Sequence, residues 1–447
     1  MLLCLALTLL TADGPQYLLT TRSQSIATTA VHQSATGGTE IAPDGTSTGR
    51  IWGYQLPPDL YRKARNRGRI NFVSQLLSWV YGFFILWVLL RAKLAVQFRD
   101  WAERVSPYRI LQAFIFVPLL VFTIGVFQLP LAVFDEWVLK LYRISVQPWA
   151  SWLEDWATNQ VIVLLAATIL GYILYGAIRK SPRRWWLYSW ALSVPFIFFF
   201  VFVSPYVIDP LFNHYEPLSS KAPQLIGGLQ QISRRAGEEV SPERMFWMLA
   251  SDKTIATNAS VEGFGPSKRI VIWDTSLAQE STDEILADFG HELGHYVLQH
   301  MLKGLVFLSL LVLILLYLCY ESIGWLLKRY GSKWNIRTID DWACMPALLL
   351  LFCVFGFVAI AARNTFIRVQ ENHADIYSLE VTHGILANSG QALAHEYQKF
   401  GESVLMDPDP NPVQVFLFYQ HPPVPDRIRL FLTYDPWSSG SEPQFVM

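Results

Sequence analysis

Charge is what this chain has least of. Only 16% of its 447 residues are Asp, Glu, Lys or Arg, against about a quarter in soluble domains. The deficit falls in long apolar runs rather than being spread along the chain. The formal net charge is -1, which excludes the basic surface that nucleic-acid binding demands. Cysteine is scarce as well. The four present, Cys4, Cys319, Cys344 and Cys353, all sit in apolar stretches and show no C-x-x-C spacing. That argues against a disulfide framework or a cysteine-ligated metal and leaves buried free thiols. Internal repeats are absent. The excess is apolar: 52% of residues are hydrophobic and 17 are Trp, the aromatic ring type that collects at bilayer interfaces.

Six runs are long and apolar enough to span a bilayer: 72–90, 110–134, 161–178, 185–208, 305–327 and 343–362, each near the roughly 20 residues a helix needs. The fold expected is mainly α, a polytopic helical membrane protein with a further domain, a small β-hairpin or edge strand plus a helix, inserted between spans. The expected divisions are 1–70 (an N-terminal apolar segment and low-charge linker), 71–208 (four transmembrane helices), 209–302 (the inserted domain), 303–367 (a transmembrane hairpin) and 368–447 (the rest of that domain). The first ten residues, MLLCLALTLL, are too short for a standard span and read equally as a signal-peptide core or a partial span. Residues 13–58 are poor in charge and read as a linker. Between the fourth and fifth runs, polar residues around Asn258-Ala259-Ser260 and the run Arg269–Trp273 read as a strand pair turning at Gly263, Gly265 and Pro266. Ser281 followed by Glu284 is a capping-box signature. It predicts a helix that starts there, runs through 291–302 and can continue into the fifth span.

That helix carries His291-Glu292-Leu293-Gly294-His295. Residues four apart share a helical face, so both imidazoles can reach one Zn²⁺. Glu292 lies about 100° round the axis, within reach of a zinc-bound water. Zinc lowers the pKa of such a water to about 7, and a carboxylate beside it can take the proton as the oxygen attacks a carbonyl. A catalytic zinc needs a third protein ligand and an open fourth position. His300 is five residues beyond His295 and off the ligand face. The third ligand must therefore come from elsewhere, and Glu371 in Glu371-Asn372-His373-Ala374-Asp375 is assigned to it. A membrane hairpin formed by the fifth and sixth spans returns this segment to the level of the first helix. Asp375, four residues on and on the same face, can accept a hydrogen bond from a ligand histidine or hold another polar group. His373 points off that face. His214, His383 and His395 read as surface or satisfied core residues.

These segments resemble the type I CAAX prenyl endopeptidase family, integral-membrane zinc proteases of gluzincin type. The likeness runs from about residue 60 to about 432 and rests on five blocks in the family's order: SPYVIDPLFNHYEPL, TNASVEGFGPSKRIVIWDTSL, LADFGHELGHYVLQH, ENHADIYSLE and YQHPPVPDRIRL. The resemblance implies one zinc held by His291, His295 and Glu371, Glu292 as the base and Asp375 as a second catalytic acid. Asn258 falls where the family's edge strand pairs with the substrate backbone. His421 and Arg427 fall near the scissile bond. His421 reads as an oxyanion donor or, more plainly, as a turn residue before Pro422-Pro423. The chain departs from the family in its short apolar N-terminus and in Ser260, where the family has an aromatic.

The activity expected is zinc-dependent endoproteolysis of a peptide or membrane-associated protein at the lipid bilayer, CAAX-type by resemblance. The alternatives are a general quality-control protease of membrane proteins and, in another class, a transporter or scaffold with a relict zinc site. The resemblance places the zinc domain on the cytosolic side of a bacterial inner membrane or an endoplasmic-reticulum-type membrane. The loops at 91–109, 179–184 and 328–337 carry five, four and four Lys plus Arg and favour the reverse. The five basic residues within 62–69 side with the cytosolic placement.

Overall fold

The computed structural model describes residues 51–202, 204–263 and 268–446. The N-terminal apolar segment, most of the linker expected over 13–58, Cys4 and the turn residues Gly265 and Pro266 lie outside them.

Among the described residues, five helices are long and apolar enough to cross a membrane: Pro58–Arg91 (α1), Arg109–Leu141, Trp149–Lys180, His300–Trp334 and Trp342–Thr382. A short amphipathic helix, Leu94–Val105 (α2), separates the first two, so Arg109–Leu141 is α3 and Trp149–Lys180 is α4. The fourth apolar run, 185–208, makes a shorter helix, Trp185–Phe202 (α5), with Pro195 inside it. Each long helix extends well beyond its apolar run, because polar ends with few breakers continue a helix that the apolar middle has already nucleated. One flank of the bundle is buried around a stack of Tyr175, Trp342 and Phe116, with ring centroids 4.6 and 5.9 Å apart. The other flank leaves side chains such as Val80, Leu165 and Val358 exposed, the surface that hydrocarbon covers. Cys319 and Cys344 are buried and Cys353 is partly so, all three as free thiols.

A second apolar core lies beyond the bundle. It is built on a four-stranded sheet of Tyr215–Pro217 (β1), Met245–Met248 (β2), Ala259–Glu262 (β3) and Arg269–Trp273 (β4), in the order β1-β2-β4-β3. The expected pair is β3 and β4, antiparallel with Ala259 opposite Ile272. β2 joins β4 in parallel and β1 joins β2 antiparallel. Among the described residues, β3 is therefore an edge, the position from which a strand can pair with another chain. Helix Pro223–Arg235 (α6) packs into the same core through Leu225, Leu229 and Ile232.

The capping box forms as its signature predicts. The Ser281 N–H donates to Glu284 Oε2 at 2.7 Å, and the Glu284 N–H donates to Ser281 Oγ at 3.3 Å. Helix Thr282–Val297 (α7) follows. It does not run on into the membrane. Gln299 adopts a left-handed conformation at φ 57°, and a new helix, His300–Trp334 (α8), starts after it. The chain returns through Met345–Thr382 (α9), 38 residues without interruption. Helices Ser389–Ser403 (α10) and Val424–Thr433 (α11) complete the lobe.

Polar contacts dock the lobe on the bundle. Arg67 on α1 donates to the Val404 carbonyl at 2.7 Å, and Arg65 pairs with Asp407 at 3.0 Å. The fully buried Lys253 pairs with Asp155 on α4. The loop between α3 and α4 adds a backbone bond, Val146 N–H to the Lys253 carbonyl, at 2.9 Å.

Candidate metal centre

α7 and α9 cross where both are thin. A Cβ added to Gly294 would stand 3.1 Å from Tyr377 Cβ and 3.2 Å from the Ala374 backbone, and one added to Gly290 would stand 2.9 Å from Ser378 Oγ. Ser378 Oγ donates to the Ala287 carbonyl at 2.5 Å. This close approach brings the two polar patches face to face. His291 Nε2 lies 3.1 Å from His295 Nε2, and these two atoms are each 3.4 Å from a Glu371 carboxylate oxygen. Among the described residues, these are the three side chains whose donor atoms converge within metal-binding reach. Zinc–ligand bonds of about 2.0–2.1 Å in a tetrahedron put donors roughly 3.3–3.4 Å apart, so the trio fits a divalent cation. Glu371 Oε2 is buried and accepts no hydrogen bond, as an oxygen reserved for a metal would be.

Each histidine is oriented through its other nitrogen. Asp375, fully buried, lies 2.9 Å from His291 Nδ1. The carboxylate is gripped in turn by Arg427, whose Nε donates to Oδ2 at 2.8 Å and whose Nη2 donates to Oδ1 at 2.5 Å. The Arg427 guanidinium sits 4.0 Å from the Tyr397 ring centroid. Asp375 thus stands behind His291 and outside the cleft lining, a position that fits the hydrogen-bond acceptor read from the residues. Arg427 stands behind Asp375. The arrangement fixes which imidazole nitrogen faces the metal. Asp375→Asn is expected to weaken metal affinity by about 10- to 100-fold, measured by competition against a chelator, with the helices intact by circular dichroism. Wild-type affinity in that variant would remove Asp375 from the site.

The partner of His295 was invisible in the sequence. The break at Gln299 swings His300 back, so that its Nδ1 lies 3.1 Å from His295 Nδ1. With Nε2 facing the metal, His295 carries its proton on Nδ1 and donates it to His300. No sequence signal marks the break, because glutamine rarely adopts positive φ.

Protonation suits the chemistry. Burial pushes His295 down to about 4, leaving the ring neutral as a ligand must be. Burial also opposes charge on His291, but the hydrogen bond to Asp375 and the nearby Glu371 carboxylate hold that ring up at about 10. A cation entering the site displaces that proton. Burial pushes the Glu292 carboxyl up, with His291 opposing, toward the range in which a carboxylate accepts and returns protons near neutrality. The Val261 backbone N–H on the edge strand faces the same carboxylate.

A cleft opens over these groups, with a volume near 430 Å³. His421 lines it, with Nε2 3.3 Å from Glu371 Oε2 and the side chain 40% exposed. Its segment is pinned by α9: Asn364 donates to the Leu417 carbonyl at 2.7 Å, and Arg368 donates to the Val415 carbonyl at 2.9 Å and the Tyr419 carbonyl at 2.5 Å. Asn258 lines the cleft at the start of the β3 edge, with its backbone fixed by Ser276 Oγ and Trp273 N–H. The structure therefore brings His291, Glu292, His295, Glu371, Asn258 and His421 to one cleft, with Asp375 and Arg427 directly behind it.

Known proteins share this organisation. Residues 221–433 match peptidase family M48, and residues 53–214 match the CAAX prenyl protease N-terminal region, described as five membrane helices. The chain is 34% identical over 359 residues to the uncharacterized metalloprotease YhfN of Bacillus subtilis (strain 168), covering 80% of this chain and 81% of that one. It is 24% identical over 412 residues to CAAX prenyl protease 1 of Saccharomyces cerevisiae, covering 84% and 86%. The crystal structure of S. mikatae Ste24p superposes with a TM-score of 0.72 over 85% of this chain and 90% of that one, at 20% identity. At that identity the likeness speaks to the fold.

Proposed function

Because the chain belongs to peptidase family M48 and is a multi-pass membrane metalloendopeptidase, we propose that the metal is a single zinc ion held by His291, His295 and Glu371, with Glu292 as the general base. The observation that carries this reading is the convergence of the three donors, 3.1–3.4 Å apart, beside the half-buried Glu292 carboxyl, which is not among them. When bound, zinc would acidify a water and polarise the scissile carbonyl. The chain supplies the rest. Glu292 takes the proton from the attacking water and passes it to the leaving amine. The outer edge of β3, with Asn258 fixed at its head, pairs with an extended substrate segment and holds its carbonyl in register. His421, half-buried at the rim, donates to the oxygen on which negative charge develops. Asp375 and Arg427 keep His291 in place and touch no reacting atom.

The likeness to CAAX prenyl proteases supports a finer reading, in which the substrate is a membrane-associated protein cut near a lipidated C-terminal cysteine. A matched pair of peptides, with and without a farnesyl group, decides it. The CAAX reading expects the farnesylated peptide to be cut at least about tenfold faster, since each buried CH₂ adds about 0.8 kcal/mol of binding. Equal rates in detergent and in vesicles would replace it with general proteolysis of membrane proteins.

A further inference from the structure

Among the described residues, four carboxylates and no lysine or arginine line the cleft: Asp209, Glu262, Glu292 and Glu371. The proposed chemistry uses the last two. Glu262 ends the edge strand and is already neutralised. Arg269 Nη2 lies 2.6 Å from Glu262 Oε2, and Ser260 Oγ donates to its other oxygen at 3.0 Å. The Arg269 guanidinium is itself packed between the rings of Tyr206 and Tyr215, at 4.9 and 4.7 Å from their centroids.

Asp209 is left over. It opens a one-turn helix directly after the last apolar helix of the first bundle. Its backbone carbonyl is engaged by the N–H groups of Phe212 and Asn213, both at 2.9 Å, so the turn is fixed. Its carboxylate is half-buried, and among the described residues no hydrogen bond or ion pair reaches it. Holding such a carboxylate partly out of water costs stability, and the charge of Arg269, already paired with Glu262, offsets that cost only in part. The walls beside it are Tyr215 and Met248, paired across β1 and β2. They offer an apolar surface to an aliphatic stem whose charged head reaches an acid.

We propose that Asp209 is a specificity residue that receives the cationic head of a lysine or arginine side chain of the substrate, with the stem lying against Tyr215 and Met248. The proposal rests on the peptidase reading and narrows its substrate class to extended segments carrying a basic residue near the cut.

The test uses the full-length protein in detergent at about pH 8. Burial, and then the neighbouring Glu262, push the Asp209 carboxyl up to about 6, so at that pH it is ionised. Decapeptides differ only by lysine, norleucine or glutamate, scanned across the positions that flank the cut. At one position the wild type should cut the lysine peptide at least about tenfold faster than the norleucine peptide, a preference that shrinks with salt. Asp209→Asn should bring the ratio below about two while cutting the norleucine peptide at the wild-type rate, which also shows that the variant is folded. An unchanged lysine preference in Asp209→Asn, or none at any position in the wild type, overturns the proposal. Binding of the same peptides to Glu292→Gln, with and without Asp209→Asn, separates the two readings. Lysine-selective binding that needs Asp209, without any cleavage by the wild type, would sink the peptidase reading and leave the subsite standing. Equal binding of lysine and norleucine would sink the subsite alone.

Discussion

Glu292→Gln should lower kcat/KM for peptide cleavage by about 10³-fold, within the range attributed to general acid–base catalysis, while leaving the metal content unchanged. Glutamine has the same shape and can still accept from the Val261 N–H, but it cannot take a proton from water. Glu292 is not one of the three converging donors, so the metal should stay. The variant should therefore bind peptide normally and fall in kcat rather than rise in KM. A fluorogenic peptide assay beside metal analysis reads both numbers. Cleavage at the wild-type rate would refute the base. Loss of metal would make Glu292 a ligand and force a different site.

Glu371→Ala should be as severe by a different route. The residue is 5% exposed and is the only anion among the three donors. Without it, His291, His295 and His421 face one another with no carboxylate between them. Two histidines do not make a catalytic zinc site, so metal should fall below about a tenth of the wild-type content and activity should fall with it. The helix that carries residue 371 is buried on both sides of it, at Asn364 and Ala374, and should keep its structure by circular dichroism. Retained metal would mean that the third ligand is another group, and His421, 3.3 Å from Glu371, would be the first to test.

Much of this centre can be read from the sequence because its parts are local. His291 and His295 are set by a four-residue spacing, and the capping box at Ser281 and Glu284 fixes where their helix begins. Glu371 follows from counting apolar residues out and back across the bilayer. The unread parts depend on backbone geometry or on distant partners. The turn at Gln299 resets the helix axis and converts His300 from an off-face residue into the partner of His295. β2 is four residues, Met245–Met248, too short to show an alternation, and its parallel pairing with β4 leaves no local trace. The resemblance puts Arg427 near the scissile bond. The structure puts it behind Asp375, because a buried carboxylate oriented toward a histidine needs a cation to hold it. Asp209 lies in one of the family-like blocks, yet its meaning emerges only when Glu262 is seen to be paired and Asp209 is not.

In the proposed centre, one metal site is assembled from two helices that a membrane hairpin brings together, with the base separate from the ligands. The most direct test is the molar zinc content of purified wild type, Glu292→Gln and Glu371→Ala, measured by mass spectrometry after dialysis against a weak chelator. The expected values are about one, about one and close to zero zinc per chain. Full zinc in Glu371→Ala, or none in Glu292→Gln, would contradict it.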